Sequence, residues 1–115
     1  MSNHRRQLGT FGEDLVAAWY ERSGFEILDR NWRIRGGEID LVTTSGRLLV
    51  FCEVKTRTSA AFGSAAEAVT PAKQRRLRSL AVAWLGAHRE LRACTVRFDV
   101  AAITGTDVSV VVDAF

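Results

Sequence analysis

Proline is nearly absent from this 115-residue chain, and cysteine and histidine occur only twice each. A single proline rules out polyproline or collagen-like architecture and rigid proline-rich linkers. Cys52 and Cys94 sit in apolar, strand-like runs without the paired Cys/His spacing of a structural zinc site, so both are expected as buried free thiols. His4 and His88 have no neighbours in sequence that would make either one catalytic. No uninterrupted apolar run approaches the roughly twenty residues a membrane span requires, and the basic stretch Met1–Gln7 leads into no apolar segment of a secretory signal. A soluble cytoplasmic protein without membrane contact is the expectation. Repeats and low-complexity tracts are also missing.

What is present fits one domain. Hydrophobic residues make up 47%, and 16 Lys and Arg against 13 Asp and Glu leave a net charge of +3. The length leaves no room for a separate recognition domain. Residues 1–8 read as a flexible tail and 9–115 as a single α/β domain. From Gly9 to Ser23, Leu8, Phe11, Leu15, Val16, Trp19 and Tyr20 form a broad apolar stripe at helical spacing, and Ser23-Gly24 stops the helix. Phe25 to Arg35 alternates like a strand and ends at Gly36-Gly37. Glu38–Thr44 and Arg47–Thr56 read as two more strands joined by Ser45-Gly46. Leu48–Cys52 is apolar on both faces, as a central strand should be. Residues 58–69 read as a mobile loop with a helical turn near 65–68. Thr70-Pro71 then reads as an N-cap with proline in the first helical position, opening a helix to about Ala87. Ala93–Thr104 and Val108–Val112 close the chain as strands, giving the order α-β-β-β-α-β-β.

The chemistry concentrates on the hairpin. With Ser45-Gly46 as a two-residue loop, Thr44 faces Arg47, Asp40 faces Phe51 and Glu38 faces Glu53. Asp40, Glu38, Glu53 and Lys55 then share one sheet face, with Asp40 the diagonal neighbour of Glu53 at roughly 7–8 Å. A three-residue loop would turn Asp40 to the other face. Carboxylates this close would raise one pKa or destabilise the fold unless a cation or Lys55 compensates. A hard divalent ion such as Mg²⁺ or Mn²⁺, which takes only one or two protein carboxylates, suits so sparse an oxygen set. Such an ion promotes attack of water on a phosphodiester, with Lys55 orienting the water or offsetting the developing charge. The plain alternative is a structural Glu–Lys pair on a solvated sheet face.

Asp40 followed after a twelve-residue gap by Glu53-Val-Lys55 resembles the PD-(D/E)XK signature of restriction-endonuclease-like nucleases. The ordered series Gly9-Thr-Phe-Gly-Glu13, Asn31–Leu41, Val50–Arg57, Phe62-Gly63, Lys73-Gln-Arg-Arg76, Phe98-Asp-Val100 and Ala114-Phe115 is similar to the bacterial YraN family of small nucleases related to archaeal Holliday-junction resolvases. Ile39 stands where the superfamily signature has proline. The resemblance implies a restriction-endonuclease-like core, a mixed sheet of about five strands flanked by helices, with Asp40, Glu53 and Lys55 catalytic. It also implies Glu13 as a further acidic metal ligand and Gln74 as a polar group beside the reacting water, while the hairpin pairing itself makes Glu38 a rival or auxiliary to Asp40.

Basic residues surround that site. Projecting the second helix backwards puts Lys73 and Gln74 on its inward face, while Lys73, Arg75, Arg76 and Arg78 crowd its N-terminus, where an approaching phosphate would be favoured. Arg30, Arg33, Arg35 and Arg57 bracket the hairpin. Trp32 reads as core in preference to a stacking residue. No base-reading module is visible, so DNA would be bound through backbone and shape. The leading expectation is a Mg²⁺- or Mn²⁺-dependent endonuclease acting on DNA, selective for branched or damaged structures. By analogy with resolvases, it would act as a homodimer where paired incisions are needed. The alternatives are a nucleic-acid-binding module without catalysis and a basic-helix protein-interaction domain.

Overall fold

A computed structural model describes residues 3–57 and 69–115, with side chains from Phe11 onward. Residues 58–68 of the expected loop, with its helical turn at 65–68, lie outside the described residues, and its last residue, Val69, is buried in the core. The element order is helix α1 (Asn3–Arg22), strands β1 (Glu26–Ile34), β2 (Gly37–Ser45) and β3 (Leu48–Arg57), helix α2 (Pro71–Ala87), and strands β4 (Thr95–Thr104) and β5 (Asp107–Val111). A short 3₁₀ turn, Arg89–Leu91, joins α2 to β4. This is the α-β-β-β-α-β-β order read from the sequence.

The five strands form one mixed sheet in the order β1-β2-β3-β4-β5, with β3 and β4 parallel and every other pair antiparallel. A parallel pair needs a crossover, and α2 supplies it. β3 lies at the centre, as its two apolar faces require. Tyr20, Val16 and Ala17 of α1 pack with Leu41, Val50, Cys52, Ala101 and Ile103 on one face. Leu77, Leu80, Ala81 and Trp84 of α2 pack with Ile39, Val42, Leu49, Phe51 and Val100 on the other. Trp32 joins this second core from β1.

The helix ends follow local chemistry. Gly24, at φ +90°, terminates α1 in a Schellman arrangement: its N–H donates to the Glu21 carbonyl (3.1 Å) and the Phe25 N–H to the Tyr20 carbonyl (3.0 Å). Thr70 caps α2, its Oγ1 accepting from the Lys73 N–H at 3.2 Å, with Pro71 opening the helix. Helix α1 begins at Asn3, earlier than its apolar stripe suggested. Phe11, placed in that stripe, is 49% exposed, because the inward face of this turn carries Gly12 and Glu13 instead. At Gly12 the helix lies directly against the sheet: a Cβ there would reach Thr56 Oγ1 at 3.4 Å and Ile103 Cγ1 at 3.6 Å, ordinary contact distances.

The turn between β1 and β2 sets the floor of a cleft beneath α2. Gly37 has φ +153°, and a Cβ there would meet Leu80 Cδ1 at 3.0 Å. Gly37→Ala combines backbone strain with crowding of the Leu80 side chain, and is expected to cost about 1–3 kcal/mol in urea denaturation. Gly36→Ala, which meets nothing within 4 Å, carries the backbone strain alone and should cost less.

Candidate functional site

The hairpin that positions the acidic residues turns one step later than the sequence suggested. Gly46, at φ +58°, and Arg47 form the two-residue loop, and Ser45 faces Leu48. Thr44 therefore lies opposite Leu49, not Arg47, and the ladder ends at Leu41 opposite Cys52. One step beyond the ladder Asp40 comes level with Glu53, while Glu38 pairs with Arg33 on β1. The expected pairings of Asp40 with Phe51 and Glu38 with Glu53 are corrected, but the slip is an even one, so side-chain parity survives.

Strand alternation itself fails at Asp40. Ile39 and Val42 belong to the core under α2, whereas Leu41 belongs to the core under α1. Across on β1, Asn31 adopts φ +52° between the pairs Arg30–Leu41 and Trp32–Ile39. Asn tolerates the left-handed region better than most residues. At this break Asp40 turns toward β3, where its Oδ2 accepts the Val54 N–H at 2.8 Å. A backbone donor just past the end of the ladder is thus satisfied by a carboxylate.

Asp40 and Glu53 line one cleft of about 230 Å³ together with Gly37, Glu38, Lys73, Arg76, Leu77 and Leu80. Glu53 is buried, and two ammonium groups meet its Oε1: Lys55 Nζ at 3.5 Å and Lys73 Nζ at 3.3 Å. Burial, followed by the Glu53 charge, pushes the Asp40 carboxyl up to about 7, and the charges of Glu13 and Glu38 add to this. The neighbouring Lys73 and partial burial pull Lys55 below the usual lysine range. Burial also raises Glu13, against the lowering effect of its bond from Asn31.

The other expected residues take varied places. Glu13 accepts a 2.5 Å bond from Asn31 Nδ2 and lies 3.9 Å from Arg30, on the α1 side of the sheet. Glu38 stands at the cleft rim, paired with Arg33 at 2.7 Å. Gln74 donates to the Val69 carbonyl at 3.1 Å and does not line the cleft. Arg35 and Arg75 are exposed, and Arg57 ends β3 half-buried. Arg78 lies over the rings of Phe98 and Phe115 (5.7 and 5.3 Å), away from the carboxylates. The cysteines are free thiols, Cys52 buried and Cys94 half-buried. Among the described residues, no three Asp, Glu, His or Cys side chains converge tightly enough to cage a metal by themselves.

Sequence reading missed two partners in this arrangement. Lys73, expected as a DNA contact, is tied to Glu53; its inward helical phase was the available signal. Asn31, which positions Glu13, had none beyond its occurrence inside a strand. The donor set still fits a hard divalent ion, because Asp40 and Glu53 are two carboxylates on one cleft and burial, followed by the Glu53 charge, holds Asp40 against ionisation.

The chain matches the model of a family described as "Uncharacterised protein family UPF0102" over residues 12–103. It is 50% identical over 104 residues to a UPF0102 protein of Geobacter metallireducens, covering 90% of this chain and 84% of that one. A UPF0102 protein of Rhodococcus jostii is 54% identical over 103 residues, covering 87% and 84% respectively. No helix among the described residues is long and apolar enough to cross a membrane.

Proposed function

The chain belongs to the UPF0102 (YraN) family, and from its carboxylate–lysine cleft we propose that it is a Mg²⁺- or Mn²⁺-dependent phosphodiesterase that cuts DNA. The observation that carries this reading is the convergence of Asp40 and Glu53 on one cleft, with Lys55 on the same strand as Glu53. Two carboxylates held together at the expense of ionising one are a poor structural device. They are a good seat for a divalent cation.

Asp40 and Glu53 would hold that ion. When bound, it supplies a more acidic water and neutralises charge on the phosphoryl oxygens. Lys55, beside Glu53 and with its proton loosened, is placed to orient the nucleophile and offset charge developing on the phosphate. A cleft of about 230 Å³ lined mainly by charged groups suits a backbone phosphate, being smaller than the pockets that enclose drug-sized ligands. Lys73 and Arg76 stand at this cleft, while Arg33 and Arg35 flank it on the β1–β2 hairpin. These groups read charge and shape, not base sequence, which favours branched or damaged DNA over a defined site. Cutting both strands would take a second copy of the chain.

The test incubates the purified protein with four-way junctions, flaps, single strands and duplexes in Mg²⁺ and in Mn²⁺. Cleavage should vanish in EDTA and fall about a hundredfold or more in Glu53→Ala and in Lys55→Ala. Cleavage that survives both substitutions would sink the assignment. Salt-dependent DNA binding without cleavage would make the protein a binding module, and absence of any DNA binding would favour a protein partner for the basic helix.

A further inference from the structure

Two ammonium groups from different elements meet one carboxylate oxygen at the cleft, Glu53 Oε1. Lys55 rises from β3 two residues beyond Glu53, on the same sheet face. Lys73 comes instead from the first turn of α2, which contains no acidic residue. A cation there opposes the helix dipole, and its bond to Glu53 is the compensation for that position. The Lys73 side chain is also the more exposed of the two, 34% against 27%.

Building on the phosphodiesterase reading, we propose that Lys73 is an exchangeable counter-ion: it neutralises Glu53 when no divalent cation is bound, is released when one enters, and then contacts the DNA phosphate. A divalent ion between Asp40 and Glu53 makes one ammonium redundant and adds repulsion to both. Lys55 is held close by its own strand. Lys73, on a flexible four-carbon stem at the helix end, can swing away from Glu53 while remaining at the cleft. Arg76, three residues on, lines the same cleft, so a released Lys73 and Arg76 would together present positive charge beside the helix N-terminus to a phosphate above it. The same ammonium would thus be unavailable to DNA before the ion enters and available afterwards, coupling the two binding events.

The test has two arms, neither of which reads cleavage. In calorimetric titration with Ca²⁺ and Mn²⁺ without DNA, Lys73→Met should bind the ion about 3- to 10-fold more tightly than wild type. Arg92→Met, which removes the same charge at an exposed position outside the cleft, should leave the affinity unchanged. In fluorescence anisotropy with a labelled four-way junction, Lys73→Met should match wild type in EDTA. In Ca²⁺ it should bind about 3- to 10-fold more weakly, with a salt slope lower by about one. Lys73→Gln serves for both arms if the methionine variant does not fold. Ion affinity no tighter than that of Arg92→Met, or an equal loss of DNA affinity with and without Ca²⁺, would overturn the exchange and leave Lys73 an ordinary surface cation. Failure of the wild-type protein to bind any divalent ion would instead remove the phosphodiesterase reading itself, and the exchange with it.

Discussion

Asp40→Asn is expected to stabilise the metal-free protein by about 1–4 kcal/mol at pH 8 and, on the proposed function, to abolish cleavage. The carboxyl is raised from 3.8 to about 7, first by burial and then by Glu53. Above pH 7 the folded chain therefore carries an ionised group that the unfolded chain ionises far more easily, and each pKa unit is worth about 1.36 kcal/mol. Asparagine keeps a carbonyl oxygen for the Val54 N–H, so the bond at the end of the β2–β3 ladder survives, although an amide accepts more weakly than a carboxylate. Urea denaturation in EDTA reads the difference. On the proposed function, adding Mg²⁺ should narrow it, because the ion would stabilise the chain that keeps both carboxylates more than the variant. A variant no more stable than wild type would show that the carboxylate is already compensated and that nothing in the cleft calls for a cation.

The pH dependence follows from the same displacement. A carboxyl whose pKa is higher in the folded state costs nothing below about pH 4, where both folded and unfolded forms are protonated. Between about pH 4 and pH 7 the unfolded chain releases its proton first, and stability drains from the folded state. Above about pH 7 the whole cost is present. Wild type in EDTA should lose stability across this window relative to Asp40→Asn. If Asp40 holds the proposed ion, the slope should flatten or reverse in saturating Mg²⁺, since a divalent ion binds a carboxylate and not the acid.

The architecture was legible in the sequence because its signals are local. Thr70-Pro71 specified the start of α2, Ser23-Gly24 the end of α1, and the doubly apolar run Leu48–Cys52 the central strand. The grouping of Asp40, Glu53 and Lys55 was also legible, although the hairpin register used to reach it was wrong. Ser45-Gly46 and Gly46-Arg47 are both credible two-residue turns, and glycine fits the first central position of the turn that forms. An error of even parity left the carboxylates on speaking terms. The bend at Asn31 and Asp40 had no such signal, because strand periodicity assumes unbroken alternation. Phe11 failed for a related reason: a helical stripe assigns apolar residues inward, and cannot foresee that Glu13 takes the buried position. Lys73 was correctly phased inward, but its partner depends on how α2 is seated over β3.

Asp99→Ala is expected to cost about 3–5 kcal/mol, a penalty of fold and not of chemistry. Its carboxylate is wholly buried and accepts four bonds: from Tyr20 Oη (2.6 Å), Arg97 Nε (2.9 Å), Arg97 Nη2 (3.0 Å) and the Asp113 N–H (3.0 Å). These tie α1, β4 and the C-terminal turn to one point, with no gain in charge at the cleft. Removing the carboxylate strands the Tyr20 hydroxyl in the core under α1 and leaves Arg97, which also lies over the Phe25 ring, without its partner. Tyr20→Phe deletes one of the four donors and should cost less, about 1.5–3 kcal/mol, because three remain. Burial pushes both the Tyr20 hydroxyl and the Cys52 thiol beside it above their usual ranges, so neither ionises near neutral pH to replace the lost charge. Thermal and urea denaturation measure the two losses. Below its melting temperature Asp99→Ala should still bind Ca²⁺ with wild-type affinity, because the cleft is assembled by β2, β3 and α2 on the opposite face. A fall in ion affinity that matched the fall in stability would mean that the two faces of the sheet cannot be loosened separately, and that α1 helps to hold Asp40 in place.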